Sequence, residues 1–213
     1  MKRVRNDATL DREFDPHRLT RQLAFIRELD KLKSVLRRTS LIDRSRLENS
    51  AEHSWHLAAM ALTLAEYAPP DADLSRVIEM LLVHDVVEID AGDTFAFDAA
   101  ANVGKLDRET LAAGRLFGML PNDAGIRLRA LWDEFEQGRT STARFANALD
   151  RLQGLLMNDA PGDGGTWRIH GVTSTQVLAR MAPIKVGAPA LWPVVLDAVE
   201  RAVRKGHVRD DRG

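Results

Sequence analysis

Residues 80–93 read MLLVHDVVEIDAGD, and this stretch constrains both the fold and the chemistry of the chain more than any other. His84 and Asp85 stand between two apolar runs on a predicted helix. A histidine and a charged aspartate in an apolar setting are costly unless they are paired or bound to a metal. Glu88 follows His84 by four residues and therefore projects from the same side of the helix. The stretch is thus a candidate metal or catalytic site.

Three further positions extend this candidate site. His53 shares a helical face with apolar residues, which taken alone is more typical of a core histidine than of a ligand. Asp150 lies in a later helix, where a surface ion pair with a neighbouring arginine explains it equally well. Asp93 follows Gly92, whose backbone freedom lets the chain turn sharply back toward the site. We expect Glu88 and Asp93 to serve as acid–base residues. The alternative is that Glu88 caps a helix or pairs with a surface arginine and that Asp93 is a loop residue without a role in the site.

Four of these side chains form a mixed nitrogen and oxygen ligand set, namely His53, His84, Asp85 and Asp150. Such a set suits Mg²⁺ or a divalent transition metal. Three separate predicted helices supply the set, which is how helical bundles build metal sites. Residues 51–100 also hold ten acidic residues and one basic residue, although a solvated acidic face would give the same composition. The sequence predicts one divalent metal ion, with Mn, Co, Mg, Fe and Ni as candidates.

The rest of the chain is typical of an all-α protein. Strand signals are scarce, and Ala, Leu, Arg and Glu dominate. Helical spacing and Pro or Gly breaks predict a single bundle of about eight helices, over residues 17–38, 50–68, 73–90, 105–119, 123–138, 141–158, 172–182 and 189–205. Ser50 is the predicted N-cap of the second helix. The predicted division is an N-terminal extension over 1–16, a domain with C-terminal helices over 17–206, and a frayed tail over 207–213.

Composition excludes several classes of protein. The 213 residues contain no cysteine, so disulfide frameworks, thiolate metal sites and cysteine nucleophiles are excluded. The formal net charge of −1 gives no reason to expect nucleic-acid binding. The charged N-terminus lacks the apolar segment of a signal peptide, and no apolar run is long enough to span a membrane. We therefore expect a cytoplasmic protein that binds neither nucleic acid nor membrane.

The order of the candidate ligands is the pattern that gives the HD-domain superfamily its name. The chain resembles HD-domain metal-dependent phosphohydrolases, and more narrowly their 5′-deoxynucleotidase subgroup of YfbR-type enzymes and the HD-domain-containing protein 2 group. The resemblance covers roughly residues 20–160. It is carried by Arg38, by the segments Glu48–Ser54, His84–Glu88 and Leu131–Glu136, by Gly92-Asp93, and by Ala148-Leu149-Asp150.

The resemblance implies a role for each matched residue. The ligands of the metal are then His53, His84, Asp85 and Asp150. Glu88 and Asp93 act on the attacking water or the leaving group, while Arg38 and Glu52 contact the substrate, Arg38 through its phosphate. Several bacterial members carry tryptophan after this arginine, where the present chain has Thr39. Strict selection of deoxyribose over ribose is therefore not implied.

The implied activity is metal-dependent hydrolysis of (deoxy)nucleoside 5′-monophosphates to nucleoside and phosphate. A non-catalytic nucleotide-binding module, and a phosphohydrolase of another small phosphate ester, remain alternatives. HD enzymes with two metals carry additional histidines, and none lies between His84 and Asp150. We also predict a homodimer, because the C-terminal helices carry the apolar residues Leu191, Trp192, Val194, Val195 and Leu196, and because the resemblance points the same way.

Overall fold

The structure is a computed structural model that describes residues 14–95, 102–160 and 162–212. It is mainly helical, and each of the eight predicted helices has a counterpart. In chain order the elements are α1 (Pro16–Leu29), β1 (Leu36–Ser40), β2 (Leu47–Asn49), α2 (Ser50–Thr63), α3 (Leu74–Val83), α4 (Glu88–Ala91), α5 (Lys105–Gly118), α6 (Asn122–Gln137), α7 (Ser141–Asp159), α8 (Gly165–Ile169), α9 (Ser174–Gly187) and α10 (Trp192–Arg204). The predicted helical bundle is confirmed, with a small hairpin and two short helices, α4 and α8, in addition.

The hairpin adds a small two-stranded sheet to the helical fold and shortens the first predicted helix. The predicted helix over 17–38 ends at Leu29, and a short 3₁₀ turn leads into β1. β1 pairs antiparallel with β2, with Leu36 opposite Asn49 and Ser40 opposite Leu47. The β-branched residues around Thr39 favour extended backbone over helix. Because side chains alternate along a strand, neighbouring residues of β1 face opposite sides.

Two further boundaries differ from the sequence prediction. The predicted helix over 73–90 is interrupted, since α3 ends at Val83 and α4 begins at Glu88. The N-cap of α2 is Asn49 rather than Ser50. The Asn49 side chain accepts a hydrogen bond from the Glu52 backbone N–H, and the Glu52 carboxylate accepts one from the Asn49 backbone N–H. This reciprocal capping box leaves the Ser50 hydroxyl free to face the interior.

Helix α7 forms the centre of the bundle. It packs most extensively against α9 and also contacts α2, α3, α6 and α10. Its fully buried side chains include Phe145, Leu149 and Leu155. At the end of α9, Gly187 permits a close approach, because a Cβ there would lie 2.0 Å from the carbonyl oxygen of Arg144. The helices on either side of α7 are therefore held tightly against it.

Residues 207–212, predicted to be a frayed tail, instead pack against the start of α9. Val208 is buried, and the Ser174 hydroxyl donates to the carboxylates of Asp210 and Asp211. The domain limits at residues 16 and 206 stay a prediction. Among the described helices, none combines the length and the apolar character needed to cross a lipid bilayer.

Candidate metal centre and substrate cleft

Three of the four predicted ligands meet at one point. His53 comes from α2, His84 follows the last residue of α3, and Asp150 comes from α7. One ligand atom from each lies within 4.8 Å of the others, and His53 Nε2 is 3.1 Å from Asp150 Oδ1. Both imidazoles are buried. This nitrogen and oxygen set fits a divalent metal ion.

The hydrogen bond of His84 supports a ligand role. Its Nδ1 donates to the carbonyl oxygen of Leu81 at 2.9 Å, which leaves the lone pair on Nε2. Nε2 is buried, and no residue in the described part of the chain forms a hydrogen bond with it. Burial lowers the pKa of His84, which favours the neutral form that a metal ligand requires. A neutral imidazole with one nitrogen fixed by a carbonyl group and the other unpaired is the usual arrangement of a metal-ligating histidine.

Asp85 lies beside this cluster but is shared with an arginine. Its Oδ1 is 3.1 Å from His84 Nε2, and its Oδ2 accepts a hydrogen bond from Arg37 Nη1 at 2.8 Å. Burial opposes ionisation of Asp85, yet His84 and Arg37 outweigh it and lower its pKa. The structure thus places Asp85 within the site, with one oxygen directed to the ligand cluster and one to Arg37.

Arg37 is a site residue that the sequence analysis missed. It alternates with Arg38 on β1, so Arg37 points inward while Arg38 is exposed at the edge of the cleft. Arg37 Nη1 also lies 4.0 Å from Asp93 Oδ1. The alternation of a strand would have identified Arg37, but the segment was predicted to be helical.

Glu48 is the second missed residue. It lies in β2, is buried, and has Oε2 3.6 Å from His53 Nδ1 and 3.5 Å from Arg37 Nε. Its other oxygen accepts a hydrogen bond from Gln153 Nε2 at 2.7 Å. A carboxylate behind a histidine ligand fixes the orientation of the imidazole ring. Glu48 begins the segment Glu48–Ser54 that carries the family resemblance, and a charged residue directly before the capping box was a usable signal of its role.

The charges around His53 compensate one another. Burial and the Arg37 charge oppose protonation of His53, but hydrogen bonding with Asp150 and Glu48 outweighs both and raises its pKa to about 9. Burial likewise opposes ionisation of Asp150, yet Arg151 and His53 hold its pKa well below the usual range. The carboxylate oxygens around His53 thus favour a positive charge at this position, as a cation site requires.

Glu88 and Asp93 both reach the cleft. Glu88 begins α4 and accepts a hydrogen bond of 2.6 Å from the Ser50 hydroxyl. Burial and the nearby Asp85 charge raise the pKa of Glu88 to about 9. Burial also raises the pKa of Asp93, which Gly92, with a φ of 73°, turns toward Arg37. The two carboxyls therefore lie next to the ligand cluster without belonging to it.

Glu52 does not reach the cleft in this structure. Its carboxylate forms the capping box of α2 and an ion pair with Arg46. The substrate contact expected of Glu52 stays a prediction. Its observed contacts stabilise the start of the helix that carries His53.

The cluster lies at the base of a cleft of about 250 Å³. Its lining includes Arg38 and Thr39 from β1, the acidic groups described above, and residues of the C-terminal half of the chain, namely Trp167, Arg180 and Met181. The cleft is therefore larger than the ligand cluster and combines anionic and cationic walls. A small phosphate ester fits this arrangement of charge.

The chain is similar to known proteins of one family. A family profile described as HD domain matches residues 29–192. The human protein named 5′-deoxynucleotidase HDDC2 is 30% identical over 145 residues, which cover 67% of this chain and 69% of that protein. The Bos taurus protein of the same name is 33% identical over 137 residues, covering 63% of this chain and 64% of the relative. The match thus spans about two thirds of these relatives.

A solved structure matches over a larger share of the chain. The crystal structure of a protein from Magnetospirillum magnetotacticum MS-1, described as a predicted metal-dependent phosphohydrolase, superposes with a TM-score of 0.85 at 51% sequence identity. The superposition covers 90% of this chain and 98% of the other. The likeness therefore includes the C-terminal helices as well as the helices that carry the ligand cluster.

Proposed function

Because the chain belongs to the HD-domain family, as the resemblance in its sequence indicated, we propose that it is a metal-dependent phosphomonoesterase that hydrolyses nucleoside 5′-monophosphates. The observation that carries this proposal is the meeting of His53, His84 and Asp150 at the base of a cleft with cationic walls. The relatives named above support the substrate class.

The proposed ligands are His53, His84 and Asp150, together with the free oxygen of Asp85. When bound, a divalent cation at this site would polarise a phosphate oxygen and lower the pKa of a coordinated water. Mn, Co, Mg, Fe and Ni all accept such a ligand set, and the native ion is to be identified by metal analysis.

We assign proton transfer to Glu88 and Asp93. Hydrolysis requires that a proton leave the attacking water and that a proton reach the 5′-oxygen of the departing nucleoside. These two carboxyls are placed for that work because they lie beside Asp85 and Arg37 within the cleft. Ser50 orients Glu88, and the backbone turn at Gly92 presents Asp93.

The arginines of β1 have separate proposed roles. Arg37 holds the Oδ2 atom of Asp85 and so directs the other oxygen toward the ligand cluster. Arg38 lies at the cleft edge, where its guanidinium can bind the substrate phosphate. Thr39 lines the cleft with a small side chain, so we expect ribonucleotides and deoxyribonucleotides both to be accepted.

The test is phosphate release from a panel of ribonucleoside and deoxyribonucleoside 5′-monophosphates. We expect release with the wild type, and loss of both metal and activity in His84→Ala. The exposed His17→Ala provides the matched control and should keep both. Glu88→Gln and Asp93→Asn should keep the metal and lose turnover. Wild-type turnover in both carboxyl variants would refute their assignment, and absence of release from every nucleotide would refute the proposed activity.

A homodimer is also part of the proposal. The structure buries Leu191 and Val195, two of the residues that suggested it, and leaves Val194 and Leu196 exposed. Light scattering at micromolar concentration should give twice the chain mass, and a monomeric mass would contradict the dimer.

A further inference from the structure

Arg180 of α9 lies at the same end of the cleft as the ligand cluster. Gly187 of α9 packs against Arg144 of α7. Arg180 precedes Gly187 by seven residues, and Arg151 follows Arg144 by seven, so each pair lies on one face of its helix. The close packing of α7 and α9 therefore brings Arg180 beside Arg151. The charges that act most strongly on Arg180 are accordingly those of Arg151, Asp150, Arg37 and Asp93.

Arg180 differs from the other inward-facing arginines because none of the described residues is paired with it. Arg37 is paired with Asp85, and Arg151 with Asp150. No hydrogen bond or ion pair joins the Arg180 guanidinium to any residue in the described parts of the chain. Burial and the Arg151 charge lower its pKa to about 10, so Arg180 is still charged at pH 7.

The Arg180 side chain is half-buried, and its unpaired guanidinium lines the wall of the cleft. Its charge and planar donor geometry suit an anion that accepts two hydrogen bonds, as phosphate does. The acidic groups nearby are already engaged with Arg37, Arg151 or the histidines. An anion that enters the cleft therefore meets a guanidinium that no described residue has engaged.

We propose that Arg180 binds the non-bridging oxygens of the substrate phosphate, which makes α9 part of the active site. That this phosphate belongs to a substrate rests on the proposed function. The binding of phosphate by Arg180 does not depend on it. Arg180 then supplies a cationic contact to the phosphate in addition to that of Arg38 on β1. The C-terminal helices accordingly contribute to substrate recognition in addition to the bundle core.

The test compares the metal-loaded wild type with Arg180→Gln and Arg180→Lys. Binding of inorganic phosphate is measured by calorimetry, and the melting temperature is measured without phosphate. Lys185→Gln is the control, since Lys185 lies on the same helix, is exposed and does not line the cleft. A charge-assisted hydrogen bond to phosphate corresponds to a change in affinity of about 10- to 100-fold.

We expect Arg180→Gln to bind phosphate about 10- to 100-fold more weakly, Arg180→Lys to fall in between, and the control to match the wild type. The melting temperature of Arg180→Gln should stay close to that of the wild type, because the half-buried guanidinium forms no hydrogen bond or ion pair with the described residues. Unchanged phosphate affinity in Arg180→Gln overturns the proposal. A lowered melting temperature in Arg180→Lys together with a phosphate affinity equal to that of the wild type also overturns it.

The two proposals can fail separately. If the wild type hydrolyses nucleotides while Arg180→Gln keeps its phosphate affinity and its kcat/KM, only the role of Arg180 is overturned. If phosphate binding depends on Arg180 but no nucleotide is hydrolysed, the phosphate site stands and the proposed activity falls.

Discussion

Replacement of Glu48 should weaken metal binding although Glu48 is not a proposed ligand. Its Oε2 atom is the nearest acceptor for two buried donor atoms, His53 Nδ1 at 3.6 Å and Arg37 Nε at 3.5 Å. All three atoms are buried without a closer hydrogen bond. Glu48→Ala removes this acceptor and leaves both donors without a partner, while Glu48→Gln keeps the shape and one oxygen but removes the charge.

The expected magnitude follows from this geometry. Loss of the group behind a metal-ligating histidine typically costs about 10- to 100-fold in metal affinity, or about 1.4–2.7 kcal/mol. The glutamine oxygen can still accept from His53, so Glu48→Gln should lie near the lower end of that range. Glu48→Ala should lie near the upper end, because two buried donors lose their acceptor.

The assay is competition for the metal against a chelator of known affinity, with circular dichroism to check that each variant is folded. Glu66→Gln is the control, since Glu66 is an exposed glutamate outside the cleft. It should bind the metal like the wild type. If folded Glu48→Ala binds the metal as tightly as the wild type, the orienting role of Glu48 is refuted.

Three further predictions concern the ligands, the acid–base residues and the packing of the bundle. Asp150→Ala should lower metal affinity by on the order of 100-fold or more, since the loss of a supporting group alone costs about 10- to 100-fold; equilibrium dialysis measures it. Glu88 has a pKa of about 9 in the folded chain against an ordinary 4.5, so the native state of the metal-free protein holds an extra proton between these values. Its stability should therefore fall as the pH rises from about 4.5 to 9, and Glu88→Gln should flatten that fall in urea titrations; equal slopes would contradict the burial of an uncharged Glu88. Gly187→Ala places a methyl group against the carbonyl oxygen of Arg144 and should cost about 1–3 kcal/mol, or about 3–10 °C in Tm; an unchanged Tm would show that α9 is free to shift.

Much of the architecture could be predicted because apolar spacing is a local property. The eight longer helices follow from the spacing of apolar residues along the sequence. The need of a histidine and an aspartate within an apolar run for partners likewise follows from their neighbours in sequence. His53 and Asp150 could be added because a mixed ligand set on separate helices has a clear chemical meaning. The meeting of these side chains with His84 agrees with that expectation.

What could not be predicted depends on contacts between distant segments. β1 exists because it pairs with β2, and only this pairing decides that Arg37 rather than Arg38 faces Asp85. Arg180 is remote in sequence from the ligands and reaches the cleft only through the packing of α9 on α7.

The packing of residues 207–212 against α9 also depends on contacts between distant segments. Four polar residues at two distant points of the chain, Ser174, Thr175, Asp210 and Asp211, hold this segment in place. Charge and proximity to the C-terminus suggest fraying when the segment is considered alone. The hydrogen bonds with the first turn of α9 are invisible until the fold brings the two segments together.

The central claim is that a metal held by His53, His84 and Asp150 is required for phosphate release from a nucleoside 5′-monophosphate. The most direct test is to remove the metal with a chelator, restore it stepwise, and measure phosphate release from deoxyadenosine 5′-monophosphate at each metal content. We expect no phosphate release without metal, and a rate of release that rises until one metal ion is bound per chain. A full rate in the metal-free protein, or no release at any metal content, would contradict it.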